Sequence, residues 1–250
     1  MGVDFTISKY IELIEVLKLN GFEFQTVHEF LSSPLNNTIM LRHDVDLKPI
    51  NSLKFARIQN EFGIRGTYYF RAKSCSWDEK IVNEIFDLGH EIGYHYENLS
   101  FSKGNYEKAI LDFEKNLRKF RRIVPITTIC MHGSPMSKFD NRHIWKEYNY
   151  KDYEIIGEPY FDIDFKKVFY LTDTGRCWNG AKYSIRDLVE TNFDDSYTNT
   201  DEIINAINLK RIPEKMMFTF HPQRWNDDFF NWSFEFISQS VKNQIKKIIK

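Results

Sequence analysis

The sequence has no long apolar run and little cysteine. No stretch reaches the roughly 18 uninterrupted apolar residues of a membrane-spanning helix. The first residues, MGVDFTISKYIELIEVLK, also lack the basic segment and apolar run of a secretory leader. A soluble protein without a membrane span is expected. Three cysteines, Cys75, Cys130 and Cys177, are odd in number and widely spaced. They fit neither a disulfide framework nor a CxxC zinc site, so a reducing compartment, the cytoplasm, is expected. Excess charge is lacking too: Lys and Arg (34) nearly cancel Asp and Glu (35). That balance argues against nucleic acid as a partner and against an acidic solvating tail, and leaves any recognition by charge to local groups. No internal repeat, low-complexity tract or linker is visible. With 250 residues and 42% hydrophobic content, residues 1–250 are read as one domain.

Short β-rich segments and helical patterns alternate. Residues 8–20 carry Ile11, Ile14, Val16 and Leu17 at helical spacing before Gly21. TIMLRHDVD at 38–46 reads as a strand, followed by a helix opened by Pro49 and closed near Gly63. Strands at 66–71 and 90–96 flank a helix at 78–88, and a longer helix covers 105–122. A strand ITTICMHG follows Pro125, with weaker strand signals near 153–157 and 167–172 and a polar connection containing NFDDSYTNT. MMFTF at 216–220 is the last strand, and 231–249 is an amphipathic helix with a Lys-rich end. Such alternation demands a parallel sheet with helices outside, either a barrel or an open doubly wound sheet. Aromatic residues reach 16%; some could stack on sugar rings, but most are expected in the core.

The polar residues fall at the ends of the strands. Asp44 and Asp46 close the first, His95, His132 and His221 close later ones, and Asp173 follows another. In a parallel α/β sheet these ends share one rim, where active sites are built. Strand alternation sets Asp44 and Asp46 on one face and His43 and Val45 on the other. Two close carboxylates call for a cation if both stay ionised. Gly93, on the same face as His95, would let a metal or substrate approach the backbone.

Taken in order, RHDVD, GTYYFR, LGHEIGYHYENLS, MHGSP and FTFHP resemble the motifs of the polysaccharide deacetylases, carbohydrate esterase family 4, over roughly residues 38–222. The resemblance implies an α/β fold, a distorted (β/α) barrel of about seven parallel strands with its site at the C-terminal rim. It also implies one divalent metal, usually zinc, with Asp46 and His95 as ligands, Asp44 as general base and His221 as general acid. TDTGRCW at 172–178 loosely resembles the family's Asp and Trp motif, which carries Asp173 and Trp178 into the substrate-binding set.

Two departures stand out. The family's HxxxH motif would put a second His at position 99, where this chain has Leu99. The family's Arg that holds the base on the fourth strand is also absent from MHGSP. His132 is the expected third ligand, or else the residue that orients Asp44. Glu97, which shares parity with His95, is its rival and otherwise part of the substrate site. Arg71 could hold an anionic substrate group. Arg42 and Glu91 could form a buried ion pair between strands. His28, His43, His90 and His143 are read as structural.

The implied reaction is metal-assisted removal of an N-acyl group, acetyl first, from an amino sugar or glycan precursor that is a small molecule or is carrier-linked. Two alternatives remain open at the level of sequence. One is an amidohydrolase for a non-sugar C–N bond; the other is a carbohydrate-binding barrel that lost its metal with the second His.

Overall fold

The computed structural model describes residues 3–179, 183, 184 and 186–249. Seven strands form one parallel sheet: β1 (Glu23–Gln25), β2 (Thr38–Val45), β3 (Thr67–Phe70), β4 (Glu91–Tyr96), β5 (Ile129–Met131), β6 (Phe169–Thr172) and β7 (Lys215–Phe220). Their order is β5-β4-β3-β2-β7-β6, with β1 paired to the first half of β2. The sheet curls into a half-barrel, an α/β fold of the expected distorted (β/α) type. Nine helices are described: α1 (Ile7–Leu19), α2 (Val27–Ser32), α3 (Pro49–Glu61), α4 (Glu79–Asp87), α5 (Asn98–Phe101), α6 (Tyr106–Arg121), α7 (Pro159–Asp162), α8 (Thr200–Asn208) and α9 (Phe229–Ile249).

All eight residues of β2 are buried, as a central parallel strand covered on both faces requires. The strand divides the interior by parity. Ile39, Leu41 and Val45 join the core beneath the helices with Phe70, Tyr94 and Phe218. Met40 belongs to a smaller inner cluster with Tyr69, Cys130 and Met217, closed by Val27 and Phe30 of α2. That apolar floor occupies the N-terminal half of the curl and leaves the C-terminal half to polar groups.

Two expectations, the strand at 153–157 and the role of Gly93, need correction, and two further segments hold elements that the pattern did not mark. The expected strand at 153–157 is instead a 3-10 turn over Tyr150–Tyr153, because Glu154 turns left-handed at φ 57°, and only Gly157 bridges back to Thr128. The polar connection ends in α8, whose start is capped by the Asn199 side chain and whose Ile203 and Ile207 are buried. Residues 23–32, unassigned from pattern alone, form β1 and α2, the latter opened by a Thr26–Glu29 capping box. Gly93 does not open the backbone to a ligand: a side chain there would overlap the Tyr69 ring on β3 and come within 3.1 Å of the Thr128 carbonyl oxygen. Tyr69 in turn donates to Thr128 Oγ1 at 3.1 Å.

His43 and His90 are structural, as expected. His43 stacks on Tyr68 and lies 2.9 Å from Gln59; His90 accepts from Gly66 N and donates to the Ala56 carbonyl. Burial lowers their pKa values to about 3 and about 4.

Two outcomes follow from this packing. Gly93→Ala should destabilise the fold by about 1–3 kcal/mol through overpacking against Tyr69, read as a lower urea midpoint; an unchanged midpoint would reject the close approach. Because His43 and His90 take up protons more readily when unfolded, their contribution is present above the unfolded histidine pKa and is lost as pH falls from about 6.5 toward 4, at up to about 1.4 kcal/mol per pH unit for each. Urea titrations from pH 7 to 4 should show stability falling, less steeply in His43→Gln.

Candidate active site

Arg42, Asp44 and Asp46 lie at alternate positions, so all three face the inside of the curl at the C-terminal rim. Arg42 donates from Nε to Asp44 Oδ1 at 2.8 Å and from Nη2 to Oδ2 at 2.7 Å. Both residues are buried, and the guanidinium lies over the Tyr160 ring at 5.0 Å. Burial alone would raise the Asp44 carboxyl; the Arg42 charge, aided by His95, outweighs it and holds the pKa below the usual carboxylate range. The expected Arg42–Glu91 pair does not form. Thr67 stands between them in register, and the Glu91 carboxylate is taken by the Thr67 and Thr128 hydroxyls and the His28 N–H.

Asp46 Oδ1 is buried without a hydrogen-bond partner. It lies 3.6 Å from His95 Nε2 and 3.4 Å from His132 Nε2, and Oδ2 lies 3.9 Å from His221 Nε2. Burial opposes ionisation of Asp46, but the surrounding His132, His221, His95 and Arg71 outweigh it and lower its pKa.

The far side of each ring fixes its tautomer. His95 Nδ1 is 2.9 Å from the Cys130 carbonyl oxygen, which only an N–H can satisfy. Its Nε2 lone pair therefore faces Asp46, and burial lowers the ring's pKa to about 4, keeping it neutral. His132 Nδ1 lies 3.2 Å from Glu97 Oε2 and 3.0 Å from Ser134 Oγ. Glu97 is gripped by Arg71 at 2.9–3.0 Å and by Lys73 at 3.0 Å. Burial would raise the Glu97 pKa, but His132, Arg71 and Lys73 bring it down to about 2. His221 Nδ1 sits 2.6 Å from Asp173 Oδ1, while Asp173 Oδ2 accepts from His221 N and Trp225 Nε1. Arg224 also donates to Asp173; the carboxylate is fully buried and its pKa is lowered, burial being outweighed by His221 and Arg224.

Among the described residues, two groups of donor atoms could hold a metal. Asp46, His95 and His132 offer ligand atoms within 4.8 Å of one another, as do Asp44, His95 and Cys130. The second is unsuited: Asp44 is committed to Arg42, and burial raises the Cys130 pKa, which keeps it a thiol. In the first, a partnerless carboxylate oxygen and two imidazole lone pairs converge, a donor set that fits zinc.

These groups floor a cavity of about 360 Å³. Asp44, Asp46, His95, His132 and His221 all line it. Arg71 and Glu97 instead line a shallower depression beside it, and Arg71 is committed to Glu97 and the Asp46 carbonyl. Asp173 stands behind His221. Trp178 does not line the cavity; it is buried against Phe218, Phe220 and Trp225 and donates to Thr200. Sequence reasoning gave Arg42 no part in holding Asp44, although their shared parity was visible. It also missed Arg186, which donates to the Gly133, Ser134 and Ser137 carbonyls and clamps the loop after His132. Nothing local marks that long-range contact.

No family model matches the chain, and no curated protein matches it. Among solved structures it is similar to the deacetylase PplD of Streptococcus pyogenes in complex with acetate (14% identity, 58% of this chain and 70% of that one, TM-score 0.46). It is also similar to a wild-type CE4 family pseudoenzyme from Bacillus anthracis (11%, 85% and 62%, TM-score 0.48) and to a Streptococcus mutans CE4 esterase (12%, 89% and 84%, TM-score 0.47).

The Arg42–Asp44 pair sets a stability test. Arg42→Met should cost about 3–5 kcal/mol by stranding a buried carboxylate, and Arg42→Met/Asp44→Asn should recover much of it. Because Asp44's folded pKa is depressed, the pair's contribution is present above about pH 4 and is lost as pH falls through the folded value. Equal urea midpoints for the single and double variants at pH 7 would contradict this account.

Proposed function

We propose that this chain is a metal-dependent deacylase that removes an N-acyl group, acetyl first, from an amino sugar or a glycan precursor. The observation that carries the reading is the unpartnered, buried Asp46 Oδ1 facing the lone pairs of His95 and His132, with Asp44 and His221 beside them. Residues 1–250 act as a single catalytic domain in this reading. The ordered motifs from RHDVD to FTFHP support it, and a cytoplasmic setting favours a soluble or carrier-linked substrate.

Asp46, His95 and His132 would hold the cation, zinc by its donor set. A cation bound there would supply the Lewis acidity that polarises an acyl carbonyl and lowers the pKa of a water. Asp44, kept ionised by Arg42, takes the proton from that water. His221, its Nδ1 fixed on Asp173, acts as the imidazolium that this carboxylate stabilises and gives its Nε2 proton to the departing nitrogen, returning to the neutral ring as the amine leaves. Glu97 orients His132 through Nδ1 without touching the cation. Leu99, where the family's second His would stand, is 1% exposed and packed in the apolar core, so His132 takes the ligand role from the neighbouring strand end.

Zinc titration by calorimetry, paired with acetate release from N-acetylglucosamine oligomers and from simple N-acetyl amides, tests this. Wild-type protein should bind about one zinc, and Asp46→Ala, His95→Ala or His132→Ala should abolish tight binding. Glu97→Gln should weaken it by about 10–100-fold. Asp44→Asn and His221→Ala should keep zinc but lose about 10²-fold or more in acetate release. Zinc-free wild type, or full activity in His132→Ala, would overturn the assignment. Turnover of the simple amides but not the sugars would move the substrate to non-sugar amides.

A further inference from the structure

Helix α9 is mounted inside out. It turns Glu235, Gln239 and Asn243 toward the protein, only 7%, 4% and 8% exposed. Gln239 donates to Asn243 Oδ1 at 2.7 Å, and Asn243 Nδ2 donates to the Gly175 carbonyl at 2.8 Å. Glu235 and Gln239 also wall the active-site cavity. Apolar residues point outward: Phe230, Phe234, Ile237 and Val241 are 81%, 68%, 62% and 55% exposed, while Phe229 and Phe236 lie to one side, Phe236 stacked on Trp232, and Ile245 reaches the cavity mouth. At about 100° per residue Phe230, Phe234, Ile237 and Val241 fall in one stripe about 60° wide, roughly 170° from the inner face. A surface helix ordinarily does the reverse, so this stripe calls for a cover.

We propose that the cover is α9 of a second copy of this chain, packed antiparallel. The area fits. Taking about 200 Å² for a phenylalanine and somewhat less for isoleucine and valine, the stripe offers about 500 Å² of apolar surface per copy. That is close to the apolar share of a standard interface of about 800 Å² per partner. The charges fit as well. Asp227 and Asp228 stand exposed before the first turn of α9. Antiparallel pairing opposes the two helix dipoles and keeps the Asp227 and Asp228 carboxylates of the two copies apart; parallel pairing would bring these like charges together. A membrane surface is the poorer match, because an interfacial helix shows a basic face opposite its apolar one. Here the opposite face is Glu235, Gln239 and Asn243, turned into the protein. The two-fold axis falls near Gln239, so Ile237 meets Val241 of the second copy and Phe230 meets its far end.

Sedimentation equilibrium of the full chain at high micromolar concentration tests the pairing. Wild type should be a dimer, and Phe234→Glu and Val241→Glu should each be monomers with an unchanged circular dichroism spectrum, since both positions are exposed. In a Cys75→Ser background, Ile237→Cys should be joined to its counterpart by a bismaleimide spanning about 10 Å, since an offset of one helical turn is too wide for a direct disulfide, and Phe230→Cys should not cross-link. A monomeric wild type, with or without binding to phosphatidylserine vesicles, would overturn the proposal. So would a dimer that survives both glutamate substitutions, or Phe230→Cys cross-linking as readily as Ile237→Cys.

Discussion

Arg42 and Asp44 leave β2 in the same direction because they are one pleat repeat apart, and both end up buried. Neither charge can stay there without the other, since desolvating an isolated ion costs several kcal/mol. The two-point contact offsets that cost and fixes the carboxylate plane at the same time. Much of the site is arranged around this pair: His95 reaches within 3.7 Å of Asp44, Tyr160 stacks on the guanidinium, and Asp46 follows two residues later. A strand with apolar residues at these positions would leave no ionised carboxylate at this point of the rim.

The same logic holds for the imidazoles. Each ring that faces Asp46 is tied on its far nitrogen to an acceptor: the Cys130 carbonyl for His95, Glu97 for His132 and Asp173 for His221. Each acceptor is itself held by further donors where it is a carboxylate, Arg71 and Lys73 for Glu97, Arg224 and Trp225 for Asp173. Residues expected to touch substrate thus stand one layer back. They set the direction of each ring's inner nitrogen, which decides what the inner groups can bind or donate.

Helix α9 contributes differently. Its polar inner face completes the cavity wall through hydrogen bonds, so hydrophobic contact does little to seat it, and its apolar stripe is turned to solvent. Packing energy and site chemistry are here assigned to opposite faces of one helix.

Much of this was legible in the sequence. Alternating apolar segments and capped helices marked the parallel sheet, because the periods 2 and 3.6 are local properties of the chain. The placement of Asp44, Asp46, His95, His132 and His221 at strand ends located the rim, since parallel strands bring their C-terminal ends together. Parity also put Arg42 with Asp44, but could not say whether Arg42 would turn along its own strand or across to Glu91. Tertiary structure decided that, because Thr67 fills the space between Arg42 and Glu91. It likewise decided that Glu97 serves His132 from behind, that Trp178 belongs to the core, and that Gly93 makes room for Tyr69. Each depends on which side chains meet from strands and loops distant in sequence, and the local pattern of a chain does not encode those distances.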